Sequence, residues 1–315
     1  MNSDANPSFD TSYFGKLDDV AVLRVSGEDA SEFLSNQFAS DIKAINTGQA
    51  QQSAWCDPKG RVLFSFQVCK MSEAAQDYYC IISAELVEKF CQRLKMFVLR
   101  SAVTVEALKD MRIFGIHRTD KDRENLDAVI QDTTNAQRFL LRRHQSSERL
   151  LVAVTDENAE GFMNALKLPE DRGLWLRDQI LLGLPNVGAE ASGKFLPQNL
   201  NLDALGGLSF SKGCYPGQEI IARLKYRGKV KQRLTVVTSQ SADKLTRAPE
   251  PMTAVFSVDD EEKKIGAVLL SETYNGQLFI SAVLDVEYVA NHGRASIPGY
   301  DTTLSLTPPP YAIDE

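Results

Sequence analysis

The chain has 315 residues, 43% of them hydrophobic and 24% charged, a globular composition with apolar material for sizeable cores and for two or three domains. A formal net charge of −7 excludes a whole-surface basic coat for nucleic acid. No apolar run reaches the ~18 residues of a membrane span, and the opening string MNSDANPSFD lacks the basic and apolar regions of a secretory leader.

Taken in chain order, residues 20–25 alternate as a short strand. Ser26-Gly27-Glu28-Asp29 then reads as a helix start, followed by Ala30, Phe33, Leu34 and Phe38 at helical spacing. Residues 51–56 and 61–68 read as two strands around the turn Asp57-Pro58-Lys59-Gly60, where Pro presets φ and Gly permits positive φ. A strand at 78–83, a helix at 84–97 with Val87, Phe90, Cys91, Leu94 and Phe97 on one face, and a strand at 102–108 follow. This order predicts helices packed on one side of an antiparallel sheet.

A second set begins with strands at 111–116, 139–142 and 150–154. Asp156 caps an expected helix to Leu166, and a further helix spans 175–184, ended by Pro185. Residues 199–210 read as a connector. No low-complexity linker separates the two sets, which leaves a shared sheet system open. From about residue 234 the texture turns to short strands at 234–238, 254–258, 265–271 and 278–286. Tyr274-Asn275-Gly276-Gln277 is a hairpin signal within them. These features predict a small C-terminal β-barrel or sandwich with a Pro-rich extended tail at 307–311.

The five cysteines, Cys56, Cys69, Cys80, Cys91 and Cys214, are odd in number, widely spaced and free of any CxxC. A disulfide framework or zinc site is not expected, and a reducing cytosol is the predicted compartment. The most unusual string is Lys212-Gly213-Cys214-Tyr215-Pro216-Gly217-Gln218-Glu219. Two glycines and a proline force a tight loop, and Gln218 opens a helix. Cys214 therefore lies just ahead of a helix N-terminus and two residues from Lys212. Both features favour thiolate over thiol, while Glu219 in the first helical turn opposes it. The competing reading is a sharp turn carrying a half-buried cysteine.

Between Lys212 and Arg233 seven basic residues face one acid, so this stretch carries +6 and the remainder of the chain −13. Arg223, Lys225, Arg227, Lys229, Lys231 and Arg233 stand at every odd position. An extended chain puts all six on one face, whereas a helix reaching Tyr226 makes Arg223 and Arg227 neighbours one turn apart. The functional reading is an anion site for phosphate, polyglutamate or an RNA backbone; the other is a solvated or internally paired face. Phosphate-loop, dinucleotide-loop, GxSxG and HExxH motifs are absent, and His117, His144 and His292 are far apart in sequence. Trp175, at the edge of an apolar stripe, is either a stacking ring for a planar ligand or core.

KGCYPGQE, followed by Arg223 and Arg227-Gly228, resembles the signature of the YgfZ family. The resemblance extends to Leu17-Asp18-Asp19, to Cys56-Asp57-Pro58-Lys59-Gly60, to Phe195-Leu196-Pro197-Gln198-Asn199-Leu200, and to Leu205-Gly206-Gly207-Leu208-Ser209-Phe210. It implies an α+β fold like that of the glycine-cleavage aminomethyltransferases. That is a folate-binding body of two intertwined α/β subdomains over residues 1–233, plus a C-terminal antiparallel β-barrel over 234–315. It also implies a cytoplasmic accessory or regulatory protein that binds tetrahydrofolate or a derivative. Its implied work is tRNA modification and the assembly or repair of iron–sulfur enzymes, through which it would influence replication initiation. The partners implied are the folate, iron–sulfur client enzymes and, indirectly, tRNA, with no membrane and no metal.

At the level of residues, the resemblance makes Cys214 the reactive thiol and Lys212 its polarising neighbour. Gly213, Tyr215, Gly217, Gln218 and Glu219 complete the signature loop. Arg223 and Arg227 position an anion. Two family tryptophans contact folate: one matches Trp175, and the other falls at Val20, where no aromatic stands. Loss of one stacking contact costs roughly 0.5–1.5 kcal/mol. Aminomethyltransferases carry an acid on the strand after the Gly60 turn, where this chain has Phe64 and Ser65. Neither side chain balances an iminium charge, which implies that one-carbon transfer is lost while folate binding persists. A folate-dependent aminomethyltransferase and a tRNA-binding module are the two alternative readings.

Overall fold

The computed structural model describes residues 10–71, 76–134, 136–144, 147–239, 247–300 and 302–313. The leader expectation therefore lies almost wholly outside the described residues, as does the His144 side chain. In chain order the elements begin β1 (Tyr13–Lys16), β2 (Val20–Ser26), α1 (Ala30–Gln37), β3 (Ala50–Cys56), β4 (Val62–Lys70), β5 (Asp77–Ser83), α2 (Val87–Val98) and β6 (Thr104–Leu108). They continue with β7 (Met111–Thr119), α3 (Arg123–Asp132), β8 (Gln137–His144), β9 (Ser147–Thr155), α4 (Asp156–Leu166) and α5 (Arg172–Leu181). The remainder is α6 (Gln218–Arg227), β10 (Gln232–Ser239), β11 (Ala254–Phe256), β12 (Lys264–Tyr274), β13 (Gln277–Asp285), α7 (Val286–Asn291), β14 (Arg294–Ala295) and β15 (Leu304–Thr307). Among the described residues no helix is long and apolar enough to cross a membrane.

The chain divides into two compact units. One comprises Pro7–Ser53 with Phe66–Trp175, and the other Ala54–Ser65 with Leu176–Glu315. The expected boundary at 233/234 falls inside β10.

The first unit is built on two sheets rather than one shared system. A five-stranded sheet has the order β3-β4-β5-β2-β6, and its registered pairs are antiparallel. Phe38 after α1 and Phe90 of α2 meet Phe66 of β4 edge-on, with ring centroids 4.6 and 5.0 Å apart. Each such burial contributes roughly 1.5–3 kcal/mol. A four-stranded antiparallel sheet has the order β1-β7-β9-β8. Phe14, Phe114 and Val152 from this sheet pack with Leu126 and Ile130 of α3 and Phe162 of α4. Successive strands β1 and β2 belong to different sheets, so the chain crosses between the two within three residues and interlaces them. α5 begins one turn earlier than the sequence predicts because Asp171 caps it, its Oδ1 accepting the Leu174 N–H at 2.8 Å.

The second unit holds a six-stranded antiparallel sheet of order β11-β12-β13-β10-β15-β14. Its core includes Val237, Val255, Val268, Ile280, Leu284 and Leu304. The β12–β13 hairpin turns through Asn275 and Gly276 at φ 49° and 78°, as a two-residue turn that follows strand twist requires. Of the expected barrel the described residues show a half-barrel, whose outer strands meet at an isolated bridge where Phe256 and Ser296 exchange two backbone hydrogen bonds of 2.9 and 3.0 Å. β14 has only two residues, too few to extend that contact into a ladder. The tail is tied down at Tyr311, which donates its hydroxyl to the Gly183 carbonyl at 2.8 Å.

Candidate functional site

The signature loop lies in the second unit, against the turn at 57–60. Asp57 organises that turn by accepting the Lys59 and Arg61 N–H groups on Oδ1, each at 2.8 Å. Gly60 leaves it at φ 77°. Gly217, at φ 80°, sits directly on this turn: a Cβ there would lie 2.6 Å from both the Asp57 carbonyl oxygen and the Gly60 Cα. A Cβ on Gly60 would in turn lie 3.3 Å from Ile220 Cβ. Two glycines in left-handed conformations thus pack backbone to backbone, which admits no side chain at Gly217. Gly213 carries no such constraint. Its φ is not left-handed and a Cβ there meets nothing within 4 Å, so Gly217 shapes the loop and Gly213 does not.

Within the loop Cys214 is exposed, whereas Cys56, Cys69, Cys80 and Cys91 are buried. Tyr215 is 6% exposed, and its hydroxyl donates to the Ser209 carbonyl at 3.3 Å. Burial, with a smaller push from neighbouring Cys56, raises its phenol well above the ordinary range. Lys212 places its Nζ 4.8 Å from the centre of the Tyr215 ring. The loop therefore turns one residue into the core and presents the preceding thiol to solvent.

Gln218 and Glu219 open α6, the first half-buried and the second exposed. Ile221 anchors the helix in the core, and its carbonyl accepts the Gln198 Nε2–H at 2.8 Å. Sequence reasoning noted the string around Gln198 but not its work. Asn199 donates to the Gln232 carbonyl at 2.8 Å, and Asn201, at φ 56°, donates to the Leu234 carbonyl at 2.9 Å. These side-chain amides tie the connector to α6 and β10. A run of amide residues between two apolar stretches is the signal that marks them.

The basic stretch separates into two groups. Arg233 is internal: it forms a bidentate pair with Asp203, both contacts 2.9 Å, and donates to the Gln198 carbonyl at 3.0 Å. Its place in an anion-binding face is thereby corrected. Lys225 holds its Nζ 4.3 Å from the centre of the Phe210 ring. Arg223 and Arg227 lie one turn apart on α6, and Lys229 and Lys231 follow the helix. These last four are exposed, and none has a carboxylate partner among the described residues. α6 runs to Arg227, so the extended arrangement with every cation on one face does not occur.

Trp175 belongs to the first unit and is 2% exposed. The Arg149 guanidinium lies over its ring, 3.6 Å from the centroid, and Arg149 Nη2 donates to the Trp175 carbonyl at 3.3 Å. The strand partners Gly15 and Gly115 leave the slot for the indole: a Cβ on Gly115 would lie 2.5 Å from it. A planar ligand reaches this ring only if the guanidinium leaves it. Val20 opens β2, half-buried, opposite Ser83. Sequence reasoning missed Arg149 and both glycines, since their meeting with Trp175 leaves no local pattern. In the second unit, Phe64 is fully buried with its ring 5.7 Å from that of Trp55. Ser65 accepts the Val187 N–H on its Oγ at 3.1 Å. His117 stacks on Tyr13 at 5.3 Å, and His292 stacks on Tyr288 at 4.2 Å with its Nε2 3.3 Å from Asp259 Oδ2.

No family model matches the chain. In sequence it is similar to the tRNA-modifying protein YgfZ of Yersinia enterocolitica, 28% identical over 314 residues that cover 95% of this chain and 92% of that one. The tRNA-modifying protein YgfZ of an Enterobacter species is likewise 28% identical over 310 residues, covering 95% and 93%. In structure the chain is similar to the glycine cleavage system aminomethyltransferase T of Bartonella henselae. The TM-score is 0.68 at 14% identity, over 94% of this chain and 85% of that one. Signature loop, end-to-end sequence similarity and architecture agree: the chain resembles the YgfZ proteins along almost its whole length and has an aminomethyltransferase-like fold.

Proposed function

We propose that the protein is a cytoplasmic, folate-binding accessory factor for tRNA modification. It acts through the maintenance of iron–sulfur enzymes, with Cys214 as its reactive thiol. The observation that carries this reading is the signature loop, where a rigid glycine contact and the buried Tyr215 hold one thiol at the surface while four others are buried. The relatives' name and the fold support the tRNA and folate parts.

Cations of the second unit fit the tail of a tetrahydrofolate. Arg223 and Arg227 are exposed cations without carboxylate partners among the described residues, suited to the carboxylates of a glutamate tail. In the first unit the two family tryptophan positions present no open ring: Arg149 covers Trp175, and Val20 is not aromatic. An accessory role is favoured over aminomethyl transfer because neither Phe64, buried beside Trp55, nor Ser65, bonded to Val187, places a carboxylate on β4.

Cys214→Ser is expected to abolish rescue of tRNA thiomethylation in cells lacking the endogenous protein, and full rescue would refute the role of the thiol. Tetrahydrofolate is expected to quench tryptophan fluorescence of the wild type and less so of Trp175→Phe. Trp55 is the second fluorophore. No quench in the wild type removes the folate assignment.

A further inference from the structure

We infer that the last turn of α6 and the segment after it, Tyr226 to Lys231, form a docking surface for an unpaired stretch of RNA. The inference rests on the tRNA reading above and gives it a place on the molecule.

Three observations carry it. The first is the state of the charges. This protein has an excess of acids, and several of its cations are paired with them: Arg24 with Asp77, Arg118 with Glu148, Arg172 with Asp19, Arg233 with Asp203. Arg227, Lys229 and Lys231 stand within five residues, exposed, with no carboxylate partner among the described residues. Cations without a carboxylate partner are available to the phosphates of a polyanion.

The second is Tyr226, which is 68% exposed and lies in the midst of these cations. Its ring is not loose, since it meets Phe210 edge-on with centroids 6.2 Å apart. Lys225 caps Phe210 from 4.3 Å, so the aromatic mount is itself fixed. An exposed, oriented ring set among cations is what unpaired bases stack on, while their phosphates take the charges. A glutamate tail would use the cations and leave the ring without a role.

The third is rigidity. Gly228 ends the helix with its N–H bonded to the Leu224 carbonyl at 3.1 Å, and a Cβ there would meet Leu224 Cδ1 at 2.9 Å. The Lys231 carbonyl accepts the Val286 N–H at 2.9 Å. The surface is therefore held at both ends before any partner arrives.

The test is the affinity of the purified protein for unmodified tRNA, by fluorescence anisotropy across a salt series. Lys229→Gln/Lys231→Gln is expected to lower the slope of log affinity against log salt by about 1.4, the value for two contacts to single-stranded phosphate. Tyr226→Ala is expected to weaken binding roughly five- to hundredfold, and Tyr226→Phe to restore it. Lys89→Gln/Lys95→Gln, an equal change of charge at exposed positions of α2, is expected to leave the slope unchanged. An unchanged slope in the Lys229/Lys231 variant, an equal loss in the α2 control, or no tRNA binding by the wild type would overturn the inference. So would a loss of affinity for polyglutamyl folate alone. Folate quenching measured on the same samples separates the two readings, because its absence removes the folate assignment and leaves the docking result standing.

Discussion

Gly217→Ala tests the packing that shapes the signature loop, and Gly213→Ala is its internal control. At Gly217 the variant meets two costs. An L-residue at φ 80° pays about 1–2 kcal/mol for the left-handed conformation alone. Its methyl would also stand 2.6 Å from the Asp57 carbonyl oxygen and the Gly60 Cα, which are backbone atoms of a turn held by two Asp57 side-chain bonds. Relief requires one of the two backbones to move, adding about 1–2 kcal/mol by comparison with overpacked cores. The expected total is about 3 kcal/mol, a fall in Tm of roughly 6–12 °C. Gly213→Ala should change Tm by less than about 2 °C, because its methyl enters open space at a permitted φ. Thermal unfolding of both variants measures the difference. Equal Tm values for Gly217→Ala and wild type would refute the argument that the glycine contact fixes the loop.

Other perturbations reach the rest of the molecule. Gly115→Ala should drive the indole of Trp175 from its slot, costing about 1–3 kcal/mol and shifting its fluorescence to the red; unchanged emission would contradict the close packing. Asp203→Ala strips a half-buried guanidinium of its bidentate partner and should cost about 2–3 kcal/mol in urea unfolding, below the value for a fully buried pair because both groups keep some solvent. In the native protein one thiol of five should react rapidly with a soluble disulfide reagent, and Cys214→Ser should remove it; a second fast thiol would contradict the burial of the others. Burial raises the thiols of Cys56, Cys69 and Cys80, so their contribution is intact below the unfolded value of about 8.5 and is lost as pH rises beyond it. Tm should fall between pH 8 and 10, less steeply in Cys80→Ala, and a flat profile would refute the assignment.

What the sequence made legible was whatever its local chemistry enforces. The hairpin at Asn275 and Gly276 follows from positive φ at two adjacent positions, and the Asp57–Gly60 turn from Asp, Pro and Gly in order. The helix entry after Gly217 was legible for the same reason. β1 was missed because its four residues carry too short a pattern and find their partner a hundred residues away. α3 was missed because only Leu126 and Ile130 of its ten residues are buried. The covering of Trp175 by Arg149 and the meeting of Gly60 with Gly217 are tertiary encounters with no periodic trace. Arg233 shows the converse limit: a charge read as part of a surface run proved to be a structural bolt, because its acid lies 30 residues upstream in a connector.

The interlaced strand β1 has a consequence for how the protein is made. Gly15 must pair with Gly115, so during synthesis β1 lacks its partner until all of the five-stranded sheet and β7 have followed. At ~5–20 residues per second that interval is roughly 5–20 s. Throughout it Tyr13 and Phe14, both buried in the finished fold, belong to an unpaired edge. The nascent chain must therefore keep β1, an unpaired apolar edge, out of the first sheet it builds for just that time.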